Sequence, residues 1–396
     1  YRTLSRVLKK LNISDKFDWF DVEEDSFFHS IGKYNVTPKG EKAFYDYSVD
    51  ATVIAKREDG TKFFPVIDTM HYPERLKNYP VGTVILITDP DHDRLTITQT
   101  ESMLMDFWSK QLKAKNLWNN HPRFMIKTTA SALSWDEWAK NNGVKVVNVP
   151  VGFKEIANIM KKVELKLKNN PTESVVIDDV FGNPIDLGIN PRLVFAGEES
   201  GGMIMGTEEL IKSEHGRCAV AMREKSATEA IIVASSLVSQ ISEVNVSLSQ
   251  YLSNVFNSNN IIGRFDTRVD IAYYNESEPD INKLKEAKVT GEALRTKNDL
   301  FYLSLAIAKK ENIITLDDVK NVLNDRFRDK GLIFDNLKSI KFVGDGTYLE
   351  FDNKYIEIRP SGTDAPSPSD GAAPVPAGRH GRPVWRAVYR TGSGRP

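Results

Sequence analysis

Phe124-Met125-Ile126-Lys127-Thr128 is a short apolar run, and the residues C-terminal to it set the architecture. A helical pattern occupies 135–141, an apolar run 144–149, and a second helical pattern 153–168. Runs of about five apolar residues read as buried strands, and apolar residues three and four apart read as helices. Ser134 is the expected N-cap of the first helix. Farther on, 193–196 is a strand that delivers the chain to a glycine-rich loop at Gly197, and a helix comes next over 228–243. Strands alternating with helices of this length predict a mostly parallel sheet covered on both faces.

Toward the N-terminus, 101–115 carries Met103, Leu104, Phe107, Trp108 and Leu112 on a helical stripe, and 83–88 is a short buried strand. Segments 49–56 and 61–68 flank Arg57-Glu58-Asp59-Gly60 and read as a β-hairpin. Beyond residue 261 the pattern changes: an amphipathic helix at 316–326 precedes short strands at 340–343, 348–351 and 355–358, separated by Gly-Asp-Gly and Asp-Asn turns. That is an α+β unit with an antiparallel sheet. The expected divisions are 1–118, 119–260 and 261–364, in an α/β chain with a C-terminal α+β domain. Residues 365–396 contain six prolines and five arginines but no Lys, Asn, Ile, Leu, Phe or Glu, so they cannot supply a core. This tail is expected to be disordered.

The 396 residues suffice for two to four domains. Lysine plus arginine (53) balances aspartate plus glutamate (54), so no global field draws the chain to nucleic acid or an anionic membrane. Any anion must be captured locally. Cys218 is the only cysteine, which excludes an intrachain disulfide and fits a reducing compartment. No apolar run approaches bilayer length. The cytoplasm is the expected location.

Three loops carry the chemistry. In Asp89-Pro90-Asp91-His92-Asp93-Arg94, three carboxylates at alternate positions repel one another unless a cation neutralises them. Oxygen-only ligands favour a hard ion, Mg²⁺ before Mn²⁺ or Ca²⁺. The bland alternative is a solvated acidic turn. A calcium EF-hand is excluded, because its sixth and twelfth positions would be Arg94 and Thr100. Arg94 offsets part of this charge and can face a phosphate. In Gly197-Glu198-Glu199-Ser200-Gly201-Gly202, a carboxylate and a hydroxyl two residues apart suit adjacent sugar hydroxyls, although an ordinary polar turn has the same composition. Arg359-Pro360-Ser361-Gly362-Thr363 combines a guanidinium, two hydroxyls and a glycine that frees backbone N–H groups. That combination suits phosphate, or else a strand-to-turn exit with a surface arginine. Lys127, at a strand end, is either a solvated terminus or a working cation.

In type, order and spacing these segments resemble the α-D-phosphohexomutases, the phosphoglucomutase/phosphomannomutase family. The likeness runs over about 83–364. The resemblance implies that Asp89, Asp91 and Asp93 bind Mg²⁺ and that Glu198 and Ser200 contact sugar hydroxyls. It further implies that Arg359, Ser361, Gly362 and Thr363 hold the phosphate that is not transferred, and that Lys127, with Arg94, takes part in catalysis. Val151-Gly152-Phe153-Lys154 is similar to the family's Thr-Gly-Phe-Lys loop, making Lys154 a substrate contact, with valine replacing the threonine. Asp364 replaces the family's glutamate after the cradle.

The family's Thr-Ala-Ser-His-Asn-Pro loop, which carries its phosphoserine, has no counterpart. Ser131, in Thr128-Thr129-Ala130-Ser131, lacks the adjacent histidine and asparagine and is assigned no nucleophilic role. The resemblance therefore implies a fragment of a mutase that moves a phosphoryl group between C1 and C6 of a hexose phosphate through a bisphosphosugar. Alone, it is expected to bind a hexose phosphate weakly and turn over nothing. The alternative is a non-catalytic sugar-phosphate-binding or regulatory protein on the same scaffold. Which hexose phosphate, which oligomeric state and what origin the tail has are open at this level.

Overall fold

A computed structural model describes residues 2–14, 17–19, 35–36, 42–43, 55–56, 62–63, 74, 77, 79, 86–88, 95–96, 100–198, 201–214, 216–262, 266–267, 273–274, 280–344, 346–352, 354–359 and 385–390. Two compact units emerge. The first comprises Tyr1–Ile126, Ile156–Val175 and Leu187–Asn259; the second comprises Lys127–Glu155, Val176–Asp186 and Asn260–Pro396.

In the first unit, helix Thr100–Ala114 buries Met103, Leu104, Met105, Phe107 and Leu112, the face its apolar spacing predicts. Asp106 on the same helix is buried yet well supplied. It lies 2.6 Å from Lys110 and accepts from Tyr251 Oη at 3.1 Å and Asn259 Nδ2 at 3.2 Å. Those contacts fasten helix Leu248–Ser258, which opens with a capping box between Ser247 and Gln250. Helix Ala227–Glu243 starts at an N-cap, Ser226, and buries Ala227, Ala230, Ile231, Ala234, Leu237 and Ile241. The strand Arg192–Gly197 is buried at every position and turns back antiparallel into Met203–Met205. Beside it in the same sheet runs Arg123–Thr128, also buried throughout.

That last strand leaves the first unit after Ile126. Its final residues, Lys127 and Thr128, belong to the second unit, where helix Leu133–Asn141 leads to its sheet neighbour Lys145–Val149. A helical crossover between neighbouring strands is the connection that parallel pairing requires. The C-terminal sheet of the second unit is antiparallel, in the order Asp266–Thr267, Trp385–Arg390, Tyr355–Ile358, Gly346–Glu350, Ser339–Val343. Helices Ile281–Lys310 and Leu316–Phe327 contribute Tyr302, Leu305, Val319 and Leu323 to one core with Leu349 and Ile358 of that sheet and with Phe351, just past its strand.

Two expectations change. Ser134 is not the N-cap; helix Leu133–Asn141 begins after Ala132, whose extended backbone precedes it and whose side chain offers no cap bond. Ser134 lies inside the first turn. Within the tail expected to be structureless, Trp385–Arg390 pairs antiparallel with Tyr355–Ile358, from Tyr355↔Val388 to Ile358↔Trp385. The edge of a short strand leaves backbone N–H and C=O groups open, and a six-residue segment with aromatic and β-branched residues can occupy it. The expected hairpin around Arg57–Gly60 has its pairing at Ala55↔Phe63 and Lys56↔Lys62.

Candidate functional site

The site in the second unit grows from the end of one strand. Lys127 is buried, and its ammonium is surrounded by three acceptors: Asp136 Oδ2 at 2.7 Å and the carbonyls of Ser131 and Ala132, each at 3.2 Å. An ammonium has three donors, so this cage fixes its position. Asp136 sits in the first turn of helix Leu133–Asn141, an arrangement the helix dipole favours for a carboxylate. The loop between strand and helix is itself tied down. Thr129 N donates to Val149 O at 2.9 Å, and the hydroxyls of Thr128 and Ser131 lie 2.9 Å apart. Ser131 is fully buried, and its carbonyl also accepts from Tyr355 Oη at 3.3 Å.

Thr129 makes the connection that matters. Its hydroxyl donates to Glu357 Oε1 at 3.0 Å, and Glu357 is fully buried in strand Tyr355–Ile358. Arg359, buried at the end of that strand, places Nε 4.0 Å from the same oxygen. Thr347 pairs with Ile358, which brings Gly346 opposite Arg359. A Cβ at Gly346 would stand 2.6 Å from Arg359 Cβ and 2.7 Å from the Ile358 carbonyl oxygen, so the approach requires glycine. Lys127, Thr129, Asp136, Asn148, Lys341 and Tyr348 are among the residues lining a cleft of about 240 Å³.

In the first unit, Glu198 is buried at the head of the turn between Gly197 and Met203. Its N–H donates to Gly202 O at 3.1 Å, and its carbonyl accepts from Gly201 N at 3.3 Å. Gly201 takes φ +85, a conformation that side chains disfavour, which explains a glycine here. Just behind the turn, Met205 N donates to Glu229 Oε2 at 3.2 Å. Burial raises the Glu229 carboxyl above its ordinary range, with the Met205 N–H pulling the other way.

Of the remaining expected residues, Lys154 is exposed in the first turn of helix Phe153–Asn169. Asp89, Asp91, Asp93, Arg94, Ser200, Ser361, Gly362 and Thr363 lie outside the described residues. The flanks of the acidic segment are described: Ile87 pairs with Thr96 and Thr88 with Leu95. Among the described residues no cluster of three or more His, Cys, Asp or Glu side chains could hold a metal. Among them, too, no single helix is long and apolar enough to cross a membrane. Asp136, Thr129 and Glu357 escape a reading of the sequence alone. The available signals were an acidic residue opening the helix after Lys127 and a carboxylate on the same strand face as Arg359.

Residues 101–258 match the family model described as phosphoglucomutase/phosphomannomutase, alpha/beta/alpha domain III. This segment is similar to that domain of the phosphoglucomutase/phosphomannomutase family. Among solved structures it is similar to the open form of the exocytosis-sensitive phosphoprotein pp63/parafusin (phosphoglucomutase) of Paramecium. That likeness has 16% identity and a TM-score of 0.41, covering 83% of this chain and 45% of the other. It is also similar to a phosphoglucomutase/phosphomannomutase family protein of Burkholderia thailandensis. There the identity is 12% and the TM-score 0.32, covering 81% of this chain and 46% of the other. The chain thus spans about half the length of the solved structures it matches. A comparison with curated proteins found no match. Lys127, Glu198 and Glu229 all fall inside the segment assigned to the mutase-family domain; Arg359 falls beyond it.

Proposed function

We propose that this chain carries the metal-, sugar- and phosphate-binding parts of a phosphohexomutase, with divisions near 1–118, 119–260 and 261–364. Its ligand is a hexose phosphate. The complete enzyme moves a phosphoryl group between C1 and C6 through a bisphosphosugar. In this reading Arg359, Ser361, Gly362 and Thr363 grip the phosphate that stays, by charge-assisted and backbone hydrogen bonds. Glu198 and Ser200 contact sugar hydroxyls, and Lys154 is a further substrate contact. Lys127 sets a fixed positive charge at the reacting hydroxyl, and Arg94 faces the transferring group. Preorganised charge of this kind is what phosphoryl transfer demands of a protein. The carboxylates of Asp89, Asp91 and Asp93 would supply all-oxygen ligands of the kind Mg²⁺ takes, and the ion would offset charge on the transferring phosphoryl group. Without a phosphoserine loop the polypeptide binds ligand and does not turn it over.

One observation carries this reading. Thr129, two residues after Lys127, hydrogen-bonds Glu357, two residues before Arg359. Two strand ends that the resemblance assigns to a sugar phosphate are thereby joined through their near neighbours. Calorimetric titration with glucose 6-phosphate and mannose 6-phosphate tests it. Binding of at least one is expected, with Arg359→Ala weakening it about tenfold or more, the worth of hydrogen bonds to a charged group. Equal affinity in the folded variant would remove Arg359 from the site and the reading with it.

A further inference from the structure

The cleft beside Lys127 has walls whose chemistry the phosphate motifs do not use. Tyr348 is buried to 7% exposure, packed edge-on against Phe181 at 5.2 Å between centroids and stacked on Tyr355 at 4.8 Å. No group among the described residues accepts its hydroxyl. That oxygen is nevertheless absent from the sealed, unsatisfied polar atoms, so it meets solvent at the cleft wall. The Asn148 carboxamide, half-buried in the same wall, likewise has no partner among the described residues. Lys341 lies over the Phe181 ring at 5.0 Å. The two cations of the lining, Lys127 and Lys341, are matched by two carboxylates, Asp136 and Glu350. With its charges balanced, this lining offers an uncharged occupant hydrogen-bonding groups.

Hydroxyl groups, which donate and accept at once, suit such walls. The volume of about 240 Å³ falls below the ~300–1,000 Å³ of pockets for larger ligands, which limits the occupant to about one monosaccharide ring. We propose that this cleft holds the hydroxylated ring of the sugar, with Tyr348 and Asn148 as hydroxyl contacts and Phe181 as the apolar wall. The phosphate is left to the Arg359 segment. This inference rests on the sugar-phosphate reading above and adds to it the residues that read the ring. Burial, with Glu357, Asp136 and Glu350 nearby, raises the Tyr348 phenol above its ordinary range, so it stays protonated and able to donate.

The test is calorimetric titration of the full chain and of Tyr348→Phe and Asn148→Ala with glucose 6-phosphate, mannose 6-phosphate and inorganic phosphate. Tyr348→Phe keeps the ring packing, and circular dichroism melting of both variants checks the fold. Each variant is expected to lose a few-fold to about tenfold in affinity for a sugar phosphate, the worth of one hydrogen bond, and none for inorganic phosphate. If the folded variants bind the sugar phosphates as the unaltered chain does, the cleft assignment fails and the mutase reading stands. Equal losses for inorganic phosphate would make the cleft a phosphate site and overturn the proposal. Failure of the unaltered chain to bind either sugar phosphate sinks both.

Discussion

Thr129, Glu357 and Arg359 show how a few side chains join sequence positions more than two hundred residues apart. Lys127 and Arg359 could be picked out in the sequence because each ends an apolar strand with a charge. Asp136 and Glu357 were not, because a carboxylate in a first helical turn or mid-strand has the same sequence signature whether or not it holds a cation. Glu101 is another residue the sequence could not flag. Burial pushes its carboxyl up to about 7, against a smaller opposing pull from its own backbone N–H. A folded-state pKa raised above the unfolded value means the folded chain keeps a proton that the unfolded chain releases. Stability from this group is therefore fully present below about pH 4.5 and is lost as pH rises through about 7. In Glu101→Gln that loss, on the order of 1–3 kcal/mol, should vanish. Urea midpoints measured from pH 5 to 8 check it; parallel pH profiles for the two proteins would contradict the assignment.

Among the elements, the βα rhythm after residue 120 and the three C-terminal strands were readable because each strand is buried on a regular pattern. Helix Ile281–Lys310 was not. It buries Gly291, Tyr302, Leu305 and Ala306 but leaves Ile281, Val289, Leu294, Leu300 and Ile307 exposed, so its apolar residues encircle it and blur the periodicity. The strand Trp385–Arg390 was hidden differently: composition averaged over a proline-rich tail says nothing about six residues that pair with an open edge. The pairing of Gly346–Glu350 with Tyr355–Ile358 yields an element-level prediction. Gly346→Ala puts a methyl group 2.6 Å from Arg359 Cβ, so strand and arginine must part. A cost of about 1–3 kcal/mol is expected. Glucose 6-phosphate affinity should fall with it. A variant that melts and binds like the unaltered chain would show that Arg359 needs no such close support.

Taken whole, the chain matches the mutase domain III model over residues 101–258 and spans about half the length of the solved structures it matches. The likeness to that domain was legible because loop chemistry, unlike packing, is written in short contiguous motifs. The two-unit division was not, since it cuts through the strand Arg123–Thr128 and through helix Phe153–Asn169, and continuous elements give no boundary signal in sequence. At this scale the proposed chain is a ligand site without turnover. The most direct test is a ³¹P NMR time course of the purified chain with glucose 1-phosphate and Mg²⁺. The predicted result is a phosphate resonance shifted or broadened by the protein, restored to its free position by Arg359→Ala, and no glucose 6-phosphate however long the sample stands. A sharp, unmoved resonance would contradict the site, and a growing glucose 6-phosphate signal would contradict the missing nucleophile.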